Sequence, residues 1–173
     1  RAKDAGLLIG YYHFFRQIHE PMAQFDRFLE SILVEPDLIH VLDLEQNRFD
    51  GEFNPELFYR HAKGFIEIMQ ANEGFAPMIY QSSYFFKHFD VAPESYHPQV
   101  EWYWLAHWNE KPGEPANPLG RKVAMHQFAV RPLSGVSVAE IDQNKLMAEP
   151  ILIDGDISDY EKVQMSLDEI DNS

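Results

Sequence analysis

Strand-like apolar runs alternate with amphipathic helical segments through the first half of this chain. Residues 6–15 form a nearly continuous apolar and aromatic run, which is typical of a strand buried on both faces of a parallel sheet. Residues 20–33 carry apolar side chains at helical spacing, and a second strand-like run follows at 38–45. A helix predicted over 55–72 and a strand predicted over 77–80 continue the pattern. Because parallel strands need crossover connections, this alternation predicts an α/β fold.

Local signals mark both ends of the helix predicted over 55–72. Asn54 is a good N-cap, Pro55 suits the first helical position, and Gly74 follows the last turn. A brief helix capped by Ser82 or Ser83 is predicted to run to residue 89.

After residue 89 the helical patterns fade, and strands follow one another through loops. Strands are predicted over 101–108, 122–130 and 136–141. The segment 109–120 is rich in proline and glycine and is predicted to be a loop.

The second apolar run ends in two carboxylates one residue apart, Asp43 and Glu45. In a strand they share a face, roughly 6–7 Å apart along the chain, while Leu42 and Leu44 point to the other face and are buried. Two neighbouring acids that lose hydration repel each other, so the arrangement is costly unless it has a use. Cleavage of a glycosidic bond needs paired carboxylates at about that spacing. The alternative is a strand that runs out into a solvated loop.

Other polar or aromatic side chains also stand near the ends of predicted strands. An α/β barrel places its active site at the carboxyl ends of its strands, so these residues are candidates for the same face. Each has a structural alternative: His13 as a hydrogen-bonded core histidine, Asp142 as a turn former, and Trp104 as a core residue. The candidates are Tyr12, His13, Tyr80, Gln81, Trp104, His107, Gln127, Asp142 and Asn144.

A metal site is a weaker interpretation of the histidines and acids. His13, His40, Asp43, Glu45 and His126 are chemically suitable hard ligands. They form no compact ligand motif, and His40 falls on the opposite strand face from Asp43. The sequence therefore predicts neither a metal nor a cofactor.

Composition excludes several functional classes. A formal net charge of −14 disfavours nucleic acid as a partner, because phosphate binding needs clustered Lys and Arg. The absence of cysteine rules out disulfides and thiolate sites within these residues. No run approaches the ~20 apolar residues of a membrane span, and the first residues lead into the first predicted strand rather than a signal peptide.

The acidity concentrates at the end of the chain. Residues 149–173 hold eight acids against one base, Lys162, which gives −7. We expect an acidic tail there that is separate from the domain formed by residues 1–148.

Several short motifs occur together and in order. Over residues 2–146 the chain resembles glycoside hydrolase family 25, the Chalaropsis-type lysozymes that cleave peptidoglycan. The matching pieces are AGL at 5–7, GYYHF at 10–14, LDLE at 42–45, PMIY at 77–80, WLA at 104–106, HQF at 126–128 and IDQN at 141–144.

The resemblance implies an irregular TIM-like (β/α) barrel and a muramidase that hydrolyses the β-1,4 bond between N-acetylmuramic acid and N-acetylglucosamine. Glu45 is then the general acid, with a pKa raised by Asp43. Asp43 stays ionised and acts as nucleophile or stabilises an oxazolinium, and Asp142 tunes the pair. The implied partner is a peptidoglycan strand at an extracellular site, without a cofactor. The implied substrate contacts are Tyr12, His13, Tyr80, Trp104, Gln127 and Asn144.

Two departures from the family pattern matter. The family begins with an Asp-bearing strand, a helix and a second strand before the AGL segment, so we expect a partial barrel without its first two strands. His126 also stands where the family usually has Trp, which we expect to alter a wall that contacts sugar. The alternatives are a non-catalytic glycan-binding or structural protein with a degenerate lysozyme barrel, and a metal-dependent polysaccharide deacetylase.

Overall fold

The computed structural model describes residues 2–46, 48–85, 100–118, 120–132 and 141–148. Within them it contains six strands, two α-helices and two short 3₁₀ segments, Lys3–Ala5 and Arg48–Asp50. The main elements are β1 (Tyr12–Phe14), α1 (Pro21–Ser31), β2 (Val41–Asp43), α2 (Pro55–Glu73), β3 (Met78–Ser82), β4 (Trp102–Ala106), β5 (Lys122–Arg131) and β6 (Ile141–Leu146).

The six strands form one sheet in chain order from β1 to β6, curled into an open half-barrel. Strands β1 to β5 are parallel to their neighbours, and β6 runs antiparallel to β5. Asp43 lies opposite Tyr80, which in turn lies opposite Trp104. The expected α/β fold and partial TIM-like barrel are therefore confirmed.

Helix α2 begins and ends as its local signals predict. The Asn54 side chain accepts a hydrogen bond from the Leu57 backbone N–H at 3.1 Å, and Pro55 holds the first position. Gly74 ends the helix in the left-handed region at φ 81°, where a side chain would be strained. Glycine serves a second purpose within α2, because a Cβ at Gly64 would lie 3.0 Å from the Pro21 ring of α1.

The convex face of the sheet packs on both helices and forms the main core. Leu42, Leu44 and Ile79 have no exposed surface, and Phe65 of α2 is equally buried beneath them. Leu42 and Leu44 therefore occupy the face that alternation predicts for them. Asp43 lies between these two leucines and Glu45 follows them, so both acids point to the concave face.

The first strand differs from its prediction. Residues 6–15 were expected to form a strand buried on both faces, but only Tyr12–Phe14 belong to the sheet. Tyr12 is 66% exposed and Phe14 is 37% exposed. The prediction is wrong because only these three residues pair with β2, and Tyr12 and Phe14 turn their side chains to the open concave face.

The last strand also differs. The predicted strand over 136–141 falls mostly outside the described residues, whereas Ile141–Leu146 form β6. Asp142 and Asn144 therefore lie inside an antiparallel strand, and the prediction that they follow a strand end is wrong.

Most of the brief helix predicted up to residue 89, and the tail 149–173, lie outside the described residues. Among the helices that the structure describes, none has the length and hydropathy needed to cross a membrane.

Replacing Phe65 tests whether the helix–sheet core holds the fold. The Phe65 ring is fully buried and contacts Phe25, Phe28 and His13. We expect Phe65→Ala to lower the free energy of unfolding by about 3–5 kcal/mol, measured by urea denaturation. Lys63→Ala, on the exposed side of the same helix, should change it by no more than about 0.5 kcal/mol. Equal effects of the two variants would contradict this core.

Candidate active site

The candidate site is an open cleft of about 260 Å³ on the concave face, towards the carboxyl ends of the parallel strands. Strand alternation directs one side chain after another into it, because every second residue of β2 to β5 points away from the helices. Its lining residues are Tyr12, Val41, Asp43, Glu45, Tyr80, Trp104, Gln127 and Asp142.

Asp43 is the most buried of the three acids that line the cleft, which are Asp43, Glu45 and Asp142. Its side chain is buried, and its Oδ1 atom has no hydrogen-bond partner among the described residues. Burial, followed by the charge of Glu45, raises the pKa of Asp43 to about 8. The Asp43 carboxyl therefore favours its neutral form at neutral pH.

Glu45 is more accessible than Asp43. Burial also raises the pKa of Glu45, and the nearby carboxylate of Asp142, which is exposed, raises it further. Among the described residues that line the cleft there is no Lys, Arg or His to offset these charges. The cleft can thus hold at least one proton on a carboxyl group beside an ionised one.

The structure raises the pKa of both acids, and it does not decide which of them gives up its proton. Asp43 was expected to raise the pKa of Glu45 and to stay ionised itself. Burial raises the pKa of both carboxyl groups, and the charge of Glu45 adds to the rise at Asp43, so the division of roles between them stays a prediction. The predicted pairing of the two acids in one cleft agrees with the structure.

Two aromatic rings form a wall beside the acids. The Tyr80 hydroxyl donates a hydrogen bond to Gln127 Oε1 at 2.5 Å. Burial and the charge of Glu45 raise the pKa of Tyr80, so its hydroxyl remains a donor. The Trp104 ring meets Tyr80 edge to face with 5.1 Å between ring centroids, and its indole N–H donates to Asn144 Oδ1 at 2.9 Å.

A second, apolar hollow of about 320 Å³ adjoins the cleft on the same concave face. The two share Tyr12, Val41 and Trp104, so Trp104 stands at the boundary between an acidic half and an apolar half. No sequence pattern identified this hollow, because it depends on how strands far apart in the chain curve around it.

His13 does not reach the cleft. Its Nε2 atom lies 3.1 Å from Gln24 Oε1, and its ring stacks on Phe65 with 4.9 Å between centroids. Burial against the helices lowers the pKa of His13. The predicted substrate contact is wrong, and the alternative of a hydrogen-bonded core histidine is correct.

His126 also faces away from the cleft. It is fully buried, and its ring nitrogens lie 2.6 Å from the Gly113 carbonyl oxygen and 3.0 Å from that of His107. The expectation that this position alters a sugar-contacting wall is therefore wrong. The ring instead anchors the loop that follows β4.

The candidate metal ligands are dispersed. His40 lies against the Phe28 ring on the helix side, as alternation predicts, and so shares no face with Asp43. With His13 and His126 also turned away, only the acids remain together. Among the described residues, no group of three or more metal-ligating side chains is placed to hold an ion.

Known proteins with a similar sequence or fold include glycosyl hydrolases of one family. Residues 1–135 match the sequence profile described as glycosyl hydrolases family 25. This chain belongs to glycosyl hydrolase family 25. The comparison with curated proteins finds no match.

Solved structures share the family 25 fold. The bacterial lysozyme from Streptomyces coelicolor is 24% identical with a TM-score of 0.64, and the match covers 85% of this chain and 70% of that one. A family 25 glycosyl hydrolase from Bacillus anthracis is 22% identical with a TM-score of 0.63, covering 85% and 67%. The CTP1L endolysin is 28% identical with a TM-score of 0.57, covering 85% and 50%. The family 25 chain therefore spans between half and about two thirds of these proteins.

The raised pKa of Asp43 predicts a specific pH dependence of stability. The folded chain binds this proton more tightly than the unfolded chain, so raising the pH from about 5 to about 8 should lower the free energy of unfolding. Asp43→Asn should remove part of that loss and stabilise the chain at pH 8 by more than about 1 kcal/mol.

Urea denaturation at both pH values measures this difference, and Asp26→Asn on the exposed side of α1 is the matched control. The same pH dependence in wild type, Asp43→Asn and Asp26→Asn would show that Asp43 is not desolvated.

Proposed function

We propose that this chain forms the acid-bearing part of a peptidoglycan hydrolase, a muramidase that cleaves the β-1,4 bond between N-acetylmuramic acid and N-acetylglucosamine. The observation that carries the proposal is the cleft in which Asp43 and Glu45 lie together with raised pKa values. Glycoside hydrolysis needs one carboxyl group that gives a proton and a second that is negatively charged when the sugar becomes cationic. Membership of family 25 supports the same assignment.

Glu45 suits the role of general acid. It is accessible from the cleft, and burial together with the nearby Asp142 raises its pKa, which favours the protonated form that a general acid needs. It would donate that proton to the glycosidic oxygen as the bond to the leaving sugar breaks. Asp142 contributes by keeping the pKa of Glu45 high.

Asp43 suits the role of the group that opposes positive charge. Its buried Oδ1 has no competing partner in the described part of the chain, so a developing oxocarbenium ion above it would favour the ionised carboxylate. Asp43 then acts as nucleophile, or stabilises an oxazolinium formed by the substrate's own N-acetyl group. Both routes need the same charge at the same place.

The rest of the cleft suits the uncharged sugar rings of a glycan. Trp104 offers an apolar face for a sugar ring, and the amide of Gln127 and the hydroxyl of Tyr80 are hydrogen-bonding groups. The three carboxyl groups disfavour polyanionic glycans. A peptidoglycan strand in the cell wall, outside the cytoplasm, meets these requirements.

The openness of the cleft favours a second candidate, a glycan-binding protein without catalysis. Tyr12 at its rim is two-thirds exposed, so the described residues do not close the cleft over a bound sugar. Binding of purified cell walls without a fall in turbidity would identify this case.

Replacing Glu45 tests the proposed reaction. We expect the wild-type chain to clear a suspension of purified cell walls, and Glu45→Gln to lower the rate by about 100-fold or more, because a glutamine cannot transfer the proton. Glu67→Gln, on the exposed face of α2, should match wild type. Circular dichroism would check that all three chains are folded.

Lysis by Glu45→Gln at the wild-type rate would end the assignment of Glu45 as the acid. Wall binding by all three chains without lysis would replace the muramidase with the glycan-binding protein.

A further inference from the structure

Two amide side chains on neighbouring strands each hold one aromatic ring of the cleft. Gln127 of β5 and Asn144 of β6 are direct partners in the antiparallel register. Gln127 Oε1 accepts the Tyr80 hydroxyl, and Asn144 Oδ1 accepts the Trp104 indole N–H. The two rings also meet edge to face at an interplanar angle of 79°, so three side-chain contacts link the four residues in a chain across β3 to β6.

The bond between Trp104 and Asn144 passes over a whole strand. On β5, the residue opposite Trp104 is Met125, and the β6 partner of Met125 is Leu146 rather than Asn144. The indole N–H therefore reaches diagonally from β4 to β6. The Trp104 ring, which contacts Tyr80 and is bonded through its nitrogen to Asn144, has few free rotamers left.

Asn144 itself does not line the cleft, whereas Trp104 does. The Oδ1 atom of Asn144 already accepts a hydrogen bond from the indole N–H of Trp104. We infer that Asn144 is a positioning residue, which holds the Trp104 ring in the orientation that a sugar stacks on. The inference rests on the proposed function, and it assigns Asn144 an indirect role in place of the direct sugar contact implied by the family resemblance.

A ring that is ordered before the sugar arrives loses less conformational entropy on binding. Asn144 should therefore strengthen glycan binding without touching the glycan. Its contribution should depend entirely on the presence of the indole N–H.

The first experiment needs no sugar. Hydrogen exchange of the indole N–H groups is followed by ¹H–¹⁵N NMR, and Trp104→Phe identifies the Trp104 resonance by its loss. We expect Asn144→Leu, which has similar size but no acceptor, to speed exchange at Trp104 about fivefold. Asn144→Asp keeps an acceptor oxygen and should restore slow exchange. Equal exchange in wild type and both Asn144 variants would overturn the inference.

The second experiment measures binding of tri-N-acetylchitotriose by calorimetry. We expect Asn144→Leu to weaken binding about fivefold, and to have no further effect in the Trp104→Phe background. Lys145→Leu, at the next position of β6, is the matched control and should bind like wild type.

The outcomes separate the inference from the function on which it rests. Equal weakening by Asn144→Leu in both backgrounds would show that Asn144 touches the sugar directly, which overturns the inference. Failure of the wild-type chain to bind the trisaccharide would contradict the sugar-stacking role of Trp104, whereas lysis of purified cell walls tests the proposed function separately. The exchange rates would still decide whether Asn144 holds the ring.

Discussion

The packing of the central strands against α1 and α2 determines what the concave face presents. Leu42, Ile79 and Tyr103 are almost completely buried on the helix side, which fixes the phase of each strand. Because side chains alternate, Asp43 and Tyr80 must then point to the opposite face. The parallel register sets Asp43, Tyr80 and Trp104 in one row across three strands. A hydrophobic requirement on one face thus assembles the polar site on the other.

Burial of the acids in the cleft lowers the stability of the fold, and the packing of the core on the helix side must offset this loss. Asp43 is buried without a hydrogen-bond partner for Oδ1 among the described residues, and the cleft that the structure describes has no cationic lining residue. Burial and the neighbouring carboxylates raise the pKa of both Asp43 and Glu45, and no cation among the described lining residues lowers it again. A surface selected only for stability would replace such a group with an apolar or exposed residue.

Sequence reasoning predicted the features that depend on local signals. The ends of α2 follow from Asn54 and Gly74, and the pairing of Asp43 with Glu45 follows from strand alternation. The side to which His13 turns had no such signal, because the run around it is apolar on both faces. Other features depend on contacts between distant segments: the open edge at β1, the antiparallel course of β6 and the bond between Trp104 and Asn144. The burial that raises the pKa of both acids likewise depends on how the sheet curves, which a strand pattern does not encode.

The claim that the concave face desolvates a pair of acids can be measured directly. The chain is labelled with ¹³C at the carboxyl carbons of Asp and Glu and titrated by NMR, with Asp43→Asn and Glu45→Gln used to assign the two resonances. We expect the Asp43 carbon to titrate with a pKa of about 8, and the pKa of Glu45 to lie above its ordinary value. Titration of both carbons at about pH 4, like solvated carboxylates, would contradict the claim.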